Sequence, residues 1–415
     1  MSIYLDKQYN EAISADYRRA ISIAVTVAQM NGIDIFLIGG VVRDLILDNP
    51  IKDIDIAVQG DAIDFAHKLL DEVPCEIINI QENLRTAKVK FQSNVVIDFA
   101  STRQEKYEKA GFLPVAYNFG CDLKDDVKRR DFSINTLALK LTGINKYSLI
   151  DYCKGYEDIQ NKKIRILHDN SFVDDPSRII RALKFKLRFN FKLEEYTNAL
   201  MQEYFEEKLD NQIPLTRIKN ELMQYFNVNS NEMYSTLIES QAYKLICDNP
   251  IKHIDESRIR KLKKFEVFNE NDIWYIYILA LLVNSKYDNV RLNLNNFDMK
   301  IIKEVNGLLN KKFKENEKDD KIYSIFHKLN EISVAAFYVF SQNKAVERYL
   351  EVLKDIKVSI TGADLIELGY VPSPKFPQMF ERVLKEKFKG KLKTKEDEIK
   401  FLKKCFKIRE CKYSL

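Results

Sequence analysis

Two aspartates near the start of the chain have the type and spacing needed to bind a metal ion. Asp53 and Asp55 alternate with isoleucines in the segment 52–57, so on a strand both carboxylates would face the same way. Adjacent carboxylates repel each other unless a proton or a cation lies between them, and hard oxygen ligands suit Mg²⁺. An isolated Asp-x-Asp is more often solvated surface, so this interpretation needs support from other residues.

A glycine pair ends thirteen residues before the first of these aspartates. The apolar run 35–38 predicts a short buried strand, Gly39 and Gly40 end it, and 41–47 has the pattern of a helix. A strand, a glycine turn and a helix let the backbone amides approach an anion closely. A Gly-Gly pair alone is usually an ordinary turn, but this order and spacing predict a phosphate site beside a metal site.

A third acidic residue, Asp98, lies in another apolar run at 95–99. A carboxylate in such a context is costly to bury unless it is paired or binds a cation. The alternative is a residue of an edge strand. Together with Asp53 and Asp55 it would complete a carboxylate triad, which suits two divalent ions. Two such ions could activate an attacking group and hold phosphate oxygens.

Basic residues further along the chain could bind phosphate oxygens beside such a site. Arg129, Arg130 and Asp131 are consecutive, and an arginine fork binds phosphate oxygens through two hydrogen bonds. A surface ion pair, which contributes little to stability, is the structural alternative.

A second basic cluster follows an aspartate pair at 174–175, either member of which could cap a helix that has Pro176 in its first turn. The helix is predicted over 177–187, with apolar residues on one side. Its basic residues recur at spacings of three, three and four along the other side: Arg178, Arg181, Lys184 and Arg188. An ordinary amphipathic helix with a solvated basic face would have the same pattern.

The elements that would position these residues differ between the two halves of the chain. Eight of the twelve glycines lie at or before Gly155, together with the strand-like runs 35–38, 87–91, 95–99 and 135–141. No glycine occurs between 156 and 306, where the periodicity is helical, as in 177–187, 217–226 and 273–283. The pattern therefore predicts an α+β protein, with a small mixed-sheet head followed by an all-helical remainder. The predicted segments are a head at 1–142, a neck at 143–215, a body at 216–355 and a tail at 356–415.

Composition narrows the class of protein further. A hydrophobic content of 46% supplies ample core, and no apolar run is long enough to span a bilayer. The N-terminus has no signal-peptide pattern, and six scattered cysteines with four histidines argue against a zinc site, so we expect a soluble cytoplasmic protein with reduced thiols. The net charge of +5 is uneven, because 371–415 carries +8 and the rest −3. A basic tail favours a polyanionic partner, although lysine-rich helices are also simply soluble.

These motifs together resemble those of one family of enzymes. The pair Gly39-Gly40 with Asp53 and Asp55 resembles the signature of the DNA polymerase β-like nucleotidyltransferases. Within that superfamily, the segments 129–135 (RRDFSIN) and 174–178 (DDPSR) resemble motifs of the class II CCA-adding enzymes and bacterial poly(A) polymerases. Segments 149–166 and 361–369 extend the resemblance over nearly the whole chain, with the body weakest.

The resemblance implies a role for each motif in adding CCA to the 3′ end of tRNA from CTP and ATP. Asp53 and Asp55 would coordinate Mg²⁺, and Asp98 would complete the catalytic site. The 3′-hydroxyl would attack the α-phosphate in line, and pyrophosphate would leave. The helical remainder would bind the acceptor arm of the tRNA. The residues that would bind the nucleotide are Gly39, Gly40, Arg43, Arg130 and Asp131 near the triphosphate, and Asp175, Arg178, Arg181 and Lys184 near the base.

Several alternatives stay open. Poly(A) addition, CC-only addition and A-only addition share these motifs, and the segment 102–115 resembles the loop that governs such differences. An inactive RNA-binding or scaffold protein on the same fold is a different class, which the retained carboxylates disfavour. The chain departs from the family in having Lys184 where an arginine is usual, and in lacking the glutamate that usually precedes Arg217. The oligomeric state is open.

Overall fold

The computed structural model of the chain describes residues 3–207, 214–228, 230–262, 268–286, 290–314 and 317–406. The chain divides into two compact units, Met1–Ile246 and Cys247–Leu415. The four finer segments expected from the sequence remain predictions, and the end of the expected tail, 407–415, lies outside the described residues. Within the described ranges, no helix is both long and apolar enough to cross a bilayer.

The strands all belong to the first unit, as far as the chain is described. They are β1 (Ile35–Ile38), β2 (Ile54–Val58), β3 (Cys75–Gln81), β4 (Thr86–Phe91), β5 (Val96–Ser101), β6 (Gln104–Lys106), β7 (Val115–Tyr117), β8 (Ala138–Lys140), β9 (Leu149–Ile150), β10 (Lys163–Ile164) and β11 (Lys192–Leu193). A seven-stranded sheet has the order β3-β4-β5-β2-β1-β8-β9. It is mixed, because β2 and β5 run parallel while the other neighbours are antiparallel. The predicted mixed-sheet head is confirmed.

Helices accompany the sheet in the first unit and make up the second. Those of the first unit are α1 (Asp6–Ala12), α2 (Ala15–Met30), α3 (Gly40–Ile46), α4 (Ala62–Glu72), α5 (Leu123–Asp126), α6 (Gly155–Gln160), α7 (Ser171–Asp174), α8 (Ser177–Phe189), α9 (Glu195–Glu206), α10 (Leu215–Phe226) and α11 (Met233–Glu239). Those of the second are α12 (Glu256–Leu262), α13 (Glu270–Leu282), α14 (Asn296–Leu309), α15 (Asp319–Phe326), α16 (Glu331–Ser341), α17 (Lys344–Glu351), α18 (Gly362–Glu367), α19 (Phe376–Phe388) and α20 (Lys395–Cys405).

Buried and partly exposed residues alternate along the central strands, and this alternation determines which side chains face away from the core. In β4 and β5 every second residue is buried, and helix α4 packs on this apolar face, where the rings of Phe65 and Phe99 lie 5.4 Å apart. The intervening residues point to the opposite face. Asp55 of β2 and Asp98 of β5 are direct partners in the parallel register, so both lie on that open face.

Two sequence-based expectations about elements needed correction. The run 135–141 is a strand only at Ala138–Lys140, because its beginning forms a tight 3₁₀ turn at Ser133–Asn135. The hydroxyl of Thr136 donates to the carbonyl of Ser133 at 2.7 Å and holds that turn. The region after the head is also not all helical, since β10 and β11 form a short parallel pair.

The last helices of the second unit enclose a small core of their own. Helices α18 to α20 surround Leu365, Val383 and Leu402. Glu398 is fully buried there, and its carboxylate accepts hydrogen bonds from the backbone of Ser359 and from Lys387. A buried carboxylate is tolerated because these donors compensate for the lost water. Lys387 is therefore tied to this small core.

Gly155, at the start of α6, leaves no room for a side chain, and we predict a strong effect of filling it. A Cβ at this position would clash with the carbonyl oxygen of Ser133, a backbone atom that cannot move away alone. Gly155→Ala should lower the free energy of unfolding by about 2–3 kcal/mol, as expected for overpacking. At Gly307, exposed in α14, a Cβ would meet nothing within 4 Å. Gly307→Ala should therefore be neutral or stabilising by about 0.5–1 kcal/mol. Urea unfolding measures both, and equal effects would contradict the close contact.

Candidate active site

The predicted metal ligands lie along the open face of the sheet. Asp53 precedes β2 and Asp55 lies within it, and both line a cleft of about 160 Å³ that Lys52 and the start of α3 also border. Asp98 lies beside Asp55 on the neighbouring strand, but outside the wall of this cleft. The structure thus brings Asp53 and Asp55 together and keeps Asp98 adjacent to them.

The electrostatics of Asp55 show that this cleft is crowded with negative charge. Asp55 is accessible to solvent, but the concave wall around its carboxyl reduces hydration, and this desolvation raises its pKa. The like charge of Asp98 raises the pKa further, whereas Arg130 opposes the shift. Because desolvation and the charge of Asp98 disfavour the ionised carboxylate, a cation beside Asp55 would stabilise it.

The donors present fit a magnesium-type ion. In the described part of the chain, no three acidic, histidine or cysteine side chains converge closely enough to hold a metal by themselves. Mg²⁺ is commonly bound by one or two carboxylates, with waters and substrate phosphates completing its shell, which matches Asp53 and Asp55 in an open cleft. An arrangement with only carboxylate donors argues against soft metals.

The glycine turn lies against Arg130, whose charge acts on Asp55. Gly39 has a φ of +76°, a conformation that side chains disfavour, and a Cβ there would lie 3.1 Å from Nη1 of Arg130. Nη2 of Arg130 donates to Asp126 at 3.0 Å. Its Nε is buried and has no hydrogen-bond partner among the described residues. A buried donor without a partner is costly, so Arg130 retains capacity for an anionic ligand.

Arg43 lines both cavities and is held by side chains of the protein itself. Its guanidinium donates to Asp44 at 2.9 and 3.1 Å and to Asn135 at 2.5 Å. It also lies over the rings of Phe185 and Phe189, 5.2 and 4.7 Å from their centroids. These contacts account for its burial and indicate that Arg43 joins the glycine turn to helix α8. Its predicted contact with the triphosphate remains a prediction.

A larger cavity of about 840 Å³ joins the other predicted residues. It shares Gly40, Arg43, Lys52 and Arg188 with the carboxylate cleft, so the two cavities adjoin. Every residue predicted from the sequence to bind the nucleotide lies on its wall: Gly39, Gly40, Arg43, Arg130, Asp131, Asp175, Arg178, Arg181 and Lys184. The predicted triphosphate and base residues therefore face one space.

The pair at the start of α8 is buried and extensively hydrogen-bonded. Oδ1 of Asp175 accepts from the backbone and the hydroxyl of Ser177, which supports the predicted capping role, and Oδ2 accepts from Arg217. Arg178 donates to Ser171 at 2.7 Å and to the carbonyl of Arg129 at 3.1 Å. Nε of Arg178 and Oδ2 of Asp175 are 3.8 Å apart. Both side chains are thus held in fixed positions at the cavity wall.

Two further basic residues of α8, Arg181 and Lys184, belong to an ion network rather than to a solvated face. Arg181 donates to Asp131 at 2.5 and 2.8 Å and to Glu221 of α10 at 3.1 Å. Lys184 is buried and donates to Glu221 at 2.9 Å and to Gln224 at 2.7 Å. Burial lowers the pKa of Lys184, whereas the charge of Asp131 raises the pKa of Arg181. The network ties the segment at 129–131 to helices α8 and α10.

Asp131 should make stability depend on pH in a definite direction. Burial alone would raise its pKa, but Arg181 and the amide of Asn135 outweigh burial and hold the pKa far below its usual range. The ionised form therefore stabilises the fold above the unfolded pKa of about 4, and this contribution is lost as the pH falls below it. Asp131→Asn should cost about 3 kcal/mol at pH 7. Chemical unfolding at pH 7 and pH 3 should show the difference from wild type shrinking in acid; a constant difference would contradict the ion pair.

Three residues of the cavity wall were missed by sequence reasoning. Arg217 contacts Asp175, the hydroxyl of Tyr107 lies 3.3 Å from Nη2 of Arg178, and Glu105 accepts from Arg129 at 3.1 Å. Arg217 and Glu221 are four residues apart on a predicted helix, and this spacing could have indicated that both face one partner. Tyr107 follows β6, and no local pattern predicts its contact with α8.

Fold and site together define a class of protein: a mixed sheet, a glycine turn and adjacent carboxylates are the elements of a nucleotidyltransferase head. A family model described as the poly(A) polymerase head domain matches residues 35–165. The A-adding tRNA nucleotidyltransferase of Geobacter sulfurreducens is 30% identical over 88% of this chain and 44% of its own length. The A-adding tRNA nucleotidyltransferase of Halalkalibacterium halodurans is 28% identical over 96% of this chain and 94% of its own length. The CCA-adding enzyme of Enterococcus faecalis is 26% identical over 88% of this chain and 90% of its own length.

Solved structures share the fold over almost the whole chain. An apo form of a CCA-adding enzyme has a TM-score of 0.84 at 23% identity, covering 98% of this chain and all of its own. A CCA-adding enzyme with CTP has a TM-score of 0.81 at 23% identity, with both chains covered completely. The Thermotoga maritima CCA-adding enzyme in complex with tRNA has a TM-score of 0.78 at 22% identity. The match covers 97% of this chain and 98% of that one. The chain belongs to the family of class II CCA-adding enzymes and bacterial poly(A) polymerases.

Proposed function

We propose that this chain is a tRNA nucleotidyltransferase that builds the 3′-terminal CCA from CTP and ATP without a nucleic-acid template. The observation that carries the proposal is the continuous wall from the carboxylate cleft, past Gly39 and Arg130, to Asp175 and Arg178. A nucleoside triphosphate bound there would have its phosphates beside the carboxylates and its base against α8. Because tRNA and nucleoside triphosphates would be its substrates, we expect the protein to act in the cytoplasm.

The triphosphate would be held by donors that the fold leaves available. Arg130 keeps a buried Nε without a partner in the described chain, and Lys52 and Arg188 are exposed where the two cavities adjoin. Asp53 and Asp55 would hold Mg²⁺, with Asp98 beside them. When bound, that ion would activate the attacking hydroxyl and neutralise charge on the phosphates. Arg43 and Asp131 line the same cavity, and their hydrogen bonds also fix the segments that carry these donors.

Base choice would follow from the chemistry of Asp175 and Arg178. Cytosine and adenine both present an amine donor next to a ring nitrogen that accepts, whereas uracil and guanine present an oxygen next to an N–H. A carboxylate would accept from the amine, and a guanidinium would donate to the ring nitrogen. Asp175 and Arg178 lie 3.8 Å apart and face the same cavity, so both could bind one base edge.

A-only addition is the second candidate, because two of the relatives described above are A-adding enzymes. The test uses tRNA transcripts that end before CCA, after the first C, or after the second C, each incubated with labelled CTP or ATP. CMP incorporation into the shortest transcript supports CCA addition. AMP incorporation only after two cytidines would replace it with A-only addition. Repeated AMP addition to any RNA end would replace both with polyadenylation.

The helical segments after the head would bind the tRNA acceptor arm. The region at 371–415 carries a net charge of +8, and neutralising phosphates releases counterions, which favours RNA binding. We keep the expected division into head, neck, body and tail as part of this proposal. Binding of tRNA that weakens steeply with salt would support it.

A further inference from the structure

One charged side chain on the open face of the sheet is not used by the proposed function. Lys88 lies on β4, opposite Asp98 in the antiparallel register, and its Nζ lies 3.1 Å from Oδ2 of Asp98. Asp98 is in turn opposite Asp55 on β2. The ammonium of Lys88 therefore lies beside the carboxylate of Asp98, which is itself next to Asp55.

The setting of this ion pair differs from that of the buried pairs around Asp131. The side chains of Lys88 and Asp98 are 41% and 39% exposed, so either can turn into water at little cost. The charged groups that act on Asp55 include Asp98 and Asp53 on the negative side and Arg130 and Lys88 on the positive side. Lys88 thus partly offsets the negative charge that a divalent cation would otherwise neutralise.

We propose that Lys88 is a placeholder cation for the metal site: its ammonium neutralises Asp98, beside Asp55, in the metal-free protein and gives way when a divalent ion binds Asp53 and Asp55. This inference rests on the carboxylate assignment in the proposed function. A lysine suits the role, because its single charge sits on a flexible stem and makes no rigid fork with the carboxylate. Lys88 therefore weakens metal binding. When no metal is bound, it also reduces the electrostatic repulsion between Asp55 and Asp98.

Metal binding to the full-length protein without nucleotide tests the proposal, with Mn²⁺ as the probe and electron paramagnetic resonance as the readout. Lys88→Met should lower the Mn²⁺ dissociation constant about tenfold, the size expected for removing one positive charge a side-chain length from a divalent ion in a mostly aqueous setting. Lys90→Met is the matched control, because Lys90 lies two residues along the same strand, opposite Val96. It should change the constant less than about twofold. Equal constants for the two variants, or weaker binding by Lys88→Met, would overturn the proposal.

A second measurement separates this proposal from the proposed function. In EDTA, Lys88→Met should lower the melting temperature more than Lys90→Met, because Asp98 loses its counter-charge, and saturating Mg²⁺ should remove the difference. If Asp55→Asn binds Mn²⁺ as tightly as wild type does, both the placeholder role and the carboxylate assignment are wrong. If Asp55→Asn loses the site while Lys88→Met matches Lys90→Met, only the placeholder role is wrong.

Discussion

Asp55→Asn should abolish nucleotidyl transfer and leave the protein folded. The substitution keeps the shape of the side chain but removes the negative charge that faces the cleft shared with Asp53. Loss of a metal ligand removes several kcal/mol of transition-state stabilisation, so kcat should fall at least about a thousandfold. Single-turnover incorporation of labelled nucleotide into tRNA measures this effect.

The same substitution should not destabilise the metal-free protein. Desolvation of its carboxyl and the charge of Asp98 raise the pKa of Asp55, so the folded state holds its proton more tightly than the unfolded chain does. Its contribution is therefore favourable in acid and is lost as the pH rises through the folded pKa, leaving an unfavourable charge at neutral pH. Asp55→Asn should melt in EDTA at or above the wild-type temperature. Asp71→Asn, on the exposed end of α4, should retain activity, and retained activity in Asp55→Asn would refute the metal assignment.

Asp175→Asn should collapse the discrimination between nucleotides. The asparagine oxygen can still accept from Ser177, but an NH₂ group then replaces the oxygen that Arg217 contacts. That group donates where the amine of adenine or cytosine needs an acceptor. A site built to hydrogen-bond its substrate loses several powers of ten in preference when a polar group is mismatched, so kcat/KM for ATP and CTP should fall about a hundredfold or more.

Measuring kcat/KM for all four nucleoside triphosphates distinguishes base reading from a general loss of structure. UTP and GTP should be affected much less than ATP and CTP. Asp174→Asn is the matched control, because Asp174 is the preceding residue, is only half-buried, and carries the same substitution. It should leave all four values within about threefold, as expected of a surface substitution. A uniform loss for all four nucleotides in Asp175→Asn would assign Asp175 a purely structural role.

The parts of this site that sequence reasoning found are the parts encoded locally. Alternation in 52–57 places the acidic residues of that segment on the face opposite its isoleucines, and a glycine pair signals a turn by its own conformational freedom. The 3.6-residue period likewise gives the helix that carries Arg178. Each of these inferences needs only a few neighbouring residues.

The parts it missed depend on partners far along the chain. Arg43 has the position of a phosphate ligand, but Asn135 and the aromatic rings of α8 determine where its guanidinium lies. The contact between Tyr107 and Arg178 spans 71 residues. The strand expected at 135–141 starts late because Asn135 is drawn into hydrogen bonds with Arg43 and Asp131. Such outcomes are decided by tertiary packing, which overrides local preference.

The bond between Arg217 and Asp175 has a consequence for how tightly the protein can bind its substrate. The carboxylate of Asp175, where we propose that the base binds, accepts hydrogen bonds from Arg217 and Ser177. A base that binds Asp175 must replace one of these hydrogen bonds, so the net free energy of binding is smaller than the new contacts alone would give. A nucleotide with the wrong edge cannot make the exchange at all. We expect an enzyme of modest affinity and high selectivity, suited to cells in which all four triphosphates are abundant.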